Sequence, residues 1–210
     1  ALVKTLESSM AYLRKNKKPL VQAKTEFVNE AKEEEEISFI LEIISSNPES
    51  FQDESIPRTE IIRQLLTLMS FPSKAKPAKE CFLALCQNIA VTISDSDLAI
   101  ILASCIDSNQ FVRTATLEAL DEEFVFQNMT YSSELWIAVH DNVDTNAEIA
   151  STIWSENDFA LDESVPSQLL NFIGVQDHGI RLSVATAIAS AIKELDSPEL
   201  FAGELQELLQ

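Results

Sequence analysis

The feature of this sequence that most constrains its fold is a self-similarity with a period of 34 residues. Within each copy, apolar residues recur three or four positions apart, which is the spacing of an amphipathic helix. Two of the aligned positions hold Leu68, Leu102, Trp136 and Leu170, and Ala78, Val112, Asn146 and Ile180. A fixed period of this length is typical of stacked helical repeats that fill one another's core. The sequence therefore predicts an all-α fold, an α-solenoid of antiparallel helix pairs.

The repeats also predict how the chain is organised. We expect residues 1–210 to be a single solenoid fragment of a larger protein, with four repeats over 56–195. Residues 1–55 are predicted to be less regular N-terminal helices, and 196–210 the first helix of a following repeat. Only three glycines occur, which argues against the Gly-rich turns of sandwiches, barrels and nucleotide-binding folds. Helices are predicted near 2–14, 19–45, 57–69, 77–91, 95–105, 109–123, 132–140, 145–155, 164–173, 179–194 and 198–209.

The residues inside one copy indicate the type of repeat. An apolar helix is followed by Asp107, Val112-Arg113, Ala115 and Ala119-Leu120. This pattern resembles the HEAT repeat. A tetratricopeptide repeat has the same length but calls for a Trp–Leu–Gly–Tyr helix and a terminal proline.

Asp and Arg at this spacing can hydrogen-bond across the turn and along the stack. We therefore expect Asp107, Arg113 and Arg181 to tie neighbouring repeats together. The copy at 132–154 has Asn146-Ala147 in place of the Val-Arg pair, which predicts a weaker tie at that junction.

Trp136 and Trp154 occupy aligned repeat positions. Tryptophan is common at interface hot spots, but a place in the repeat register favours packing between stacked helices. We therefore predict that both residues contribute to repeat stacking.

The charge of the chain is acidic and unevenly distributed. Residues 1–79 contain 12 basic and 12 acidic side chains, whereas 80–210 contain 3 basic and 22 acidic ones, so the whole net charge of −19 lies in the second stretch. Phosphate contacts require clustered cations, which argues against a protein that primarily binds nucleic acid.

No apolar run reaches the roughly 18 residues of a membrane span. Three cysteines without a secretory signal indicate reduced thiols, and together these features predict a cytoplasmic protein with no membrane contact.

The sequence shows no recognisable catalytic or metal site. His140 and His178 share no motif, and Cys81 and Cys86 are too far apart in sequence to face one another on a helix. A Gly-rich phosphate loop, a nucleophile elbow and a His-Glu-x-x-His helix are all missing from the sequence. We therefore predict a protein that is not an enzyme and that needs no cofactor.

Two basic clusters are the candidate contact sites of the chain. They consist of Arg14, Lys15, Lys17 and Lys18, and of Lys74, Lys76 and Lys79. Both are predicted to lie in turns within a repeat, and such turns align along one edge of a solenoid. Direct contact with RNA phosphate or with an acidic partner is expected only near these N-terminal turns. The alternative is that both clusters are solvated loops, and no aromatic residues interleave with them to stack on bases.

The order of several motifs resembles that of a known family. Leu135-Trp136 lies on a helix that ends at Asp141, the next helix ends in Ile153-Trp154, and a later Ala-rich helix begins with Gly179-Ile180-Arg181. Over about residues 94–195, this order resembles one segment of the very large HEAT-repeat translational activators of general amino-acid control. Asn146-Ala147 departs from the family, which has an apolar residue and Arg there.

The resemblance implies a ribosome-associated scaffold. Members of that family lie along stalled or collided ribosomes and promote activation of the kinase that phosphorylates an initiation factor during amino-acid starvation. Fungal members also bind an ATP-binding-cassette partner. The resemblance implies that the kinase and this partner bind elsewhere in the parent protein, and it assigns no functional residue to this segment. The alternative, motivated by the acidic stretch, is an α-solenoid scaffold of another class that grips basic partners, such as a nuclear transport receptor or a phosphatase scaffold.

Overall fold

The computed structural model describes residues 2–15, 25–53, 55–124, 126 and 132–196, together with 198, 199, 202, 203 and 206. All regular structure in these residues is helical and they contain no β-strand, which confirms the all-α prediction. The helices are α1 (Leu2–Lys15), α2 (Thr25–Ser46), α3 (Arg58–Leu68), α4 (Ala75–Ile89), α5 (Asp95–Ala103), α6 (Gln110–Glu123), α7 (Ser133–Val139), α8 (Asp144–Glu156), α9 (Val165–Leu170) and α10 (His178–Leu195), with 3₁₀ helices at Pro48–Gln52 and Ser104–Ile106.

Side-chain caps fix where several helices begin. Asn109, Ser132 and Asp177 precede α6, α7 and α10, and each side-chain oxygen accepts a hydrogen bond from a backbone N–H two or three residues later, at 2.9, 3.3 and 3.0 Å. These bonds satisfy donors that the first helical turn leaves without a partner. Ser94 caps α5, since the Asp97 N–H donates to Ser94 Oγ at 3.2 Å.

The predicted helix boundaries agree with the structure to within a few residues where both are described. α2 is described from Thr25, and the part of its prediction over 19–24 lies outside the described residues. α9 ends at Leu170 rather than at 173, because the backbone N–H groups of 171–173 donate to carbonyls three residues back, in successive turns. The helix predicted at 198–209 lies largely outside the described residues.

Residues 1–100 form one compact unit. In it, α1 packs against α2 and α3, α2 packs against α4, and α3 packs against α4. The apolar face of α2 lies in the core through Ile37, Ile40, Leu41 and Ile44, all at most 5% exposed. The stretch 1–55, predicted to be less regular, contributes the packed pair α1–α2 and a 3₁₀ helix.

Residues 101–210 form the second compact unit, and α5 runs across the boundary between the two. α8 packs against α6 and α7, whereas α10 packs against α7 and α9. The buried residues that join α7, α9 and α10 are Trp136, Ile137, Val165, Leu169, Ile180, Val184, Ala187 and Ala191.

The 34-residue register reappears in the helix starts and in the burial of the aligned side chains. α4, α6, α8 and α10 begin at Ala75, Gln110, Asp144 and His178. The aligned set Leu68, Leu102, Trp136 and Leu170 is at most 7% exposed, and the set Ala78, Val112, Asn146 and Ile180 at most 2% exposed. The aligned positions are therefore core positions, while a single solenoid over 1–210 with four repeats at 56–195 stays a prediction.

Candidate functional site

The most highly connected polar side chain of the second unit is Arg113, in the first turn of α6. Its Nε donates to Asp141 Oδ2 at 2.6 Å and its Nη2 donates to Asp141 Oδ1 at 3.1 Å, which makes a bidentate pair. Nη1 donates to the Asp107 carbonyl at 2.9 Å, and Nη2 also reaches Asn142 Oδ1 at 3.3 Å. The Arg113 side chain is 5% exposed and the Asp141 side chain 2%. A buried pair of this geometry connects α6 to the turn between α7 and α8.

Asn146 also bonds to Asp141, the partner of Arg113, a role that sequence reasoning missed. The side chain is fully buried at the start of α8. Its Nδ2 donates to Asp141 Oδ2 at 3.1 Å, and its Oδ1 accepts from Thr114 Oγ1 of α6 at 2.8 Å. At this departure from the Val-Arg pattern, Asn146 therefore supplies hydrogen bonds to α6 and to the turn before α8. Towards α9 and α10, Ala147 supplies no guanidinium, so a weaker tie on that side stays a prediction.

Asp107 and Arg181 act within their own turns. Asp107 Oδ1 accepts from the Asn109 N–H at 2.7 Å, as Asp141 Oδ1 accepts from the Val143 N–H at 2.9 Å. The exposed Arg181 donates from Nη1 to the carbonyls of residues 176 and 175, at 2.8 and 3.4 Å. Within the described residues neither side chain reaches another repeat, so their role in repeat stacking stays a prediction.

The two tryptophans form an aromatic cluster. The Trp136 ring is 6% exposed, and its Nε1 donates to the Ala187 carbonyl of α10 at 3.0 Å. Its ring centroid lies 4.8 Å from that of Trp154 and 4.9 Å from that of His140, and Trp154 in turn lies 5.5 Å from Phe159. The structure places Trp136 between α7 and α10, where its packing and hydrogen bond join two helix pairs.

His140 stacks edge-on against Trp136 at the end of α7. Its Nε2 is buried and, among the described residues, finds no hydrogen-bond partner. Burial lowers the pKa of this imidazole because the charged form would lose its hydration. The neutral ring is therefore the form that fits this site.

Acidification is expected to destabilise the chain through His140. The unfolded state takes up a proton as the pH falls through about 6.5, whereas the folded state resists it because its pKa is lower. The stability contributed by the neutral ring is therefore present above pH 6.5 and lost below it. Urea unfolding measured between pH 7.5 and 5.5 should show a smaller loss of stability for His140→Phe than for the parent chain. Equal losses in both proteins would contradict this assignment.

Lys74 was predicted to belong to the second basic cluster, but the structure buries it. This side chain is 7% exposed, and its Nζ donates to the Glu34 carbonyl at 3.1 Å and to Ser38 Oγ at 2.9 Å. Lys74 therefore fastens α4 to α2 and is not available to a partner. Lys76 is exposed and lies 4.0 Å from Glu80, and Lys79 is half-buried with interactions of its own.

The first basic cluster lies at the end of α1 and beyond it. Arg14 and Lys15 belong to the last turn of that helix, and nothing of their side chains is described. Lys17 and Lys18 lie outside the described residues. Whether the two clusters adjoin therefore stays a prediction.

The described residues offer little reactive chemistry. Among them, no group of His, Cys, Asp and Glu side chains is arranged to hold a metal ion. Cys81, Cys86 and Cys105 are buried free thiols, and burial raises the pKa of Cys81 to about 11 and that of Cys105 further. Across the described part of the chain, no helix has the length and apolar character needed to cross a membrane.

Helix pairs in a 34-residue register, with a buried Arg113–Asp141 pair between α6 and the next turn, define a protein of the HEAT-repeat α-solenoid class. Residues 122–210 match the family model described as the HEAT repeats of the stalled-ribosome sensor GCN1. The chain is 44% identical, over 200 residues and 94% of its length, to the eIF-2-alpha kinase activator GCN1 of Saccharomyces cerevisiae. The chain is therefore similar to one segment of this HEAT-repeat protein, and it spans 7% of the length of the yeast relative. No solved structure matches the chain.

Proposed function

We propose that the chain is a non-catalytic scaffold segment of a ribosome-associated translational activator. The parent protein would sense stalled or collided ribosomes in the cytoplasm and promote activation of the initiation-factor kinase during amino-acid starvation. The observation that carries this proposal is the 44% identity to the yeast kinase activator across 94% of the chain. The match to HEAT repeats of a stalled-ribosome sensor over 122–210 agrees with it.

The polar groups of the structure support a scaffold role for this segment. Arg113, Asp141 and Asn146 bond to one another and Asn146 also bonds to Thr114 of α6, so these buried polar groups join helices. In a repeat protein each unit contacts only its neighbours, so the array can transmit bending over long distances without local unfolding. The kinase and an ATP-binding-cassette partner would bind other parts of the parent protein.

Polysome co-sedimentation of the full-length parent protein tests the proposal. We expect the protein in the polysome fractions, and enriched there when ribosomes are stalled. A protein confined to the soluble fractions under both conditions would contradict the proposal.

Reversing the charge of the N-terminal basic cluster is expected to weaken ribosome association. Lys15, Lys17 and Lys18 are changed to Glu in the parent protein, and Lys76→Glu is added in a second variant. Because contacts to phosphate release counterions, the variant should depend less on salt than the parent, so the loss of affinity should be largest at low salt and shrink as the salt concentration rises. Lys74 is left unchanged because it is buried.

A matched control carries three charge reversals at other basic residues, Lys32, Arg63 and Lys193, all exposed. It should sediment as the unmodified parent protein does. Equal binding of the cluster variant and the control at every salt concentration would mean that the cluster does not contact the ribosome.

A further inference from the structure

The exposed side of α2 carries an aromatic ring among carboxylates. Phe39 is 63% exposed, whereas the other large apolar residues nearby on α2, such as Ile37 and Ile40, are buried in the core. Glu35 and Glu42 lie four residues before and three residues after Phe39, which places them beside the ring on the same helix face. Both glutamates are exposed.

A shallow open groove runs beside this ring. Its walls are Glu34, Glu35, Ser38, Phe39, Glu42 and Lys74. We call these six residues the α2 groove. It lies where α2 meets the start of α4, and both helices belong to the first compact unit.

The α2 groove carries a net negative charge. The ammonium of Lys74 is buried and bonded to the Glu34 carbonyl and to Ser38 Oγ, so it offsets only part of the charge of the three carboxylates. Among the described residues, no lysine or arginine forms an ion pair with Glu34, Glu35 or Glu42. The groove therefore presents carboxylate oxygens whose charge is left for a partner to balance.

We propose that the α2 groove binds a lysine- or arginine-bearing segment of a partner protein. A single exposed aromatic ring defines no ligand by itself, but the carboxylates around it specify a cation. The face of a phenylalanine attracts an ammonium or guanidinium group and covers its aliphatic stem. An aromatic anchor at the centre of a polar rim is also the usual composition of an interface hot spot.

Nucleic acid is the wrong partner for this surface, because its phosphates would be repelled by the same carboxylates. The inference goes beyond the proposed function and does not depend on it. It concerns one face of the first unit, and it holds or fails whether or not the parent protein sediments with ribosomes.

The test uses the purified 210-residue chain and two fluorescent peptides. One peptide is rich in lysine and arginine, and the other has glutamine in place of every basic residue. Binding is followed by fluorescence anisotropy at several salt concentrations. We expect the basic peptide to bind and the glutamine peptide not to bind.

Phe39→Ala should weaken binding of the basic peptide by about two- to fivefold, the loss expected for one exposed cation–π contact. The double change Glu35→Gln with Glu42→Gln should weaken it at least as much and make the affinity less sensitive to salt. Because all three side chains are exposed, thermal unfolding of both variants should match that of the parent chain.

A control with the same change of charge is Glu148→Gln with Glu156→Gln, two exposed carboxylates on α8. It should bind the basic peptide as the parent chain does. If this control weakens binding as much as the α2 variant, or if Phe39→Ala leaves the affinity unchanged, binding reflects only the overall acidity of the chain and the proposal is overturned.

Discussion

Replacing Arg113 by alanine is expected to lower the free energy of unfolding by about 3–5 kcal/mol, the cost of removing one partner from a buried ion pair. The change leaves the Asp141 carboxylate, whose side chain is 2% exposed, with the Asn146 amide and the Val143 N–H as its remaining donors. It also frees the Asp107 carbonyl. Urea unfolding followed by circular dichroism measures the effect.

Arg181→Ala is the matched control for this prediction. Arg181 makes the same kind of bonds to its own turn as Arg113 does, but it is exposed and has no carboxylate partner in the described part of the chain. Its loss should cost no more than about 1 kcal/mol, as for a surface cation. Similar losses for the two variants would mean that the buried bonds of Arg113 contribute little to the free energy of unfolding.

Trp136→Ala should destabilise the chain by about 3–5 kcal/mol, because a large side chain is removed from a closely packed site. The ring lies between α7 and α10 and contacts Trp154, so the cavity opens at the junction of two helix pairs. Unfolding is followed by circular dichroism, because the substitution itself changes the fluorescence.

Trp136→Phe separates packing from hydrogen bonding. It keeps an aromatic ring in the core but removes the Nε1 bond to the Ala187 carbonyl, which should cost about 1–3 kcal/mol because the carbonyl is left without this donor. A loss from Trp136→Ala no larger than that from Trp136→Phe would contradict the assignment of Trp136 to the core between α7 and α10.

The sequence was sufficient to predict the helices and their shared register. Apolar residues repeat locally at helical spacing, and the same spacing returns after 34 residues, so Leu68, Leu102, Trp136 and Leu170 could be aligned without coordinates. All four are buried. The sequence also indicated that Arg113 ties neighbouring repeats, but it did not name a partner, and the structure places Asp141 there.

Side chains whose partners depend on three-dimensional contacts could not be placed in this way. Lys74 looked like a member of an exposed basic cluster, yet its Nζ bonds to the carbonyl of Glu34, 40 residues away on α2. No local pattern encodes that approach. The Asn146-Ala147 pair predicted a weaker tie, and only the packing of α6 on α8 shows that Asn146 bridges Thr114 and Asp141.

Phe39 is an apolar residue that the structure exposes, whereas Lys74 and Asn146 are polar residues that it buries. It follows the helical pattern of α2 beside the buried residues Ile37 and Ile40, so periodicity alone would allow it a place in the core. The structure turns it to the exposed side, because the packing of α1 and α4 on α2 decides which residues of the pattern are covered.

The central claim is that buried polar contacts tie neighbouring helix pairs to one another, and the Arg113–Asp141 pair is the clearest of them. A double-mutant cycle with Arg113→Ala, Asp141→Ala and the combined variant measures the coupling free energy directly. Residues that share one buried hydrogen-bonded network should be coupled by about 1–3 kcal/mol. A coupling indistinguishable from zero, with the two single losses simply adding, would contradict the claim.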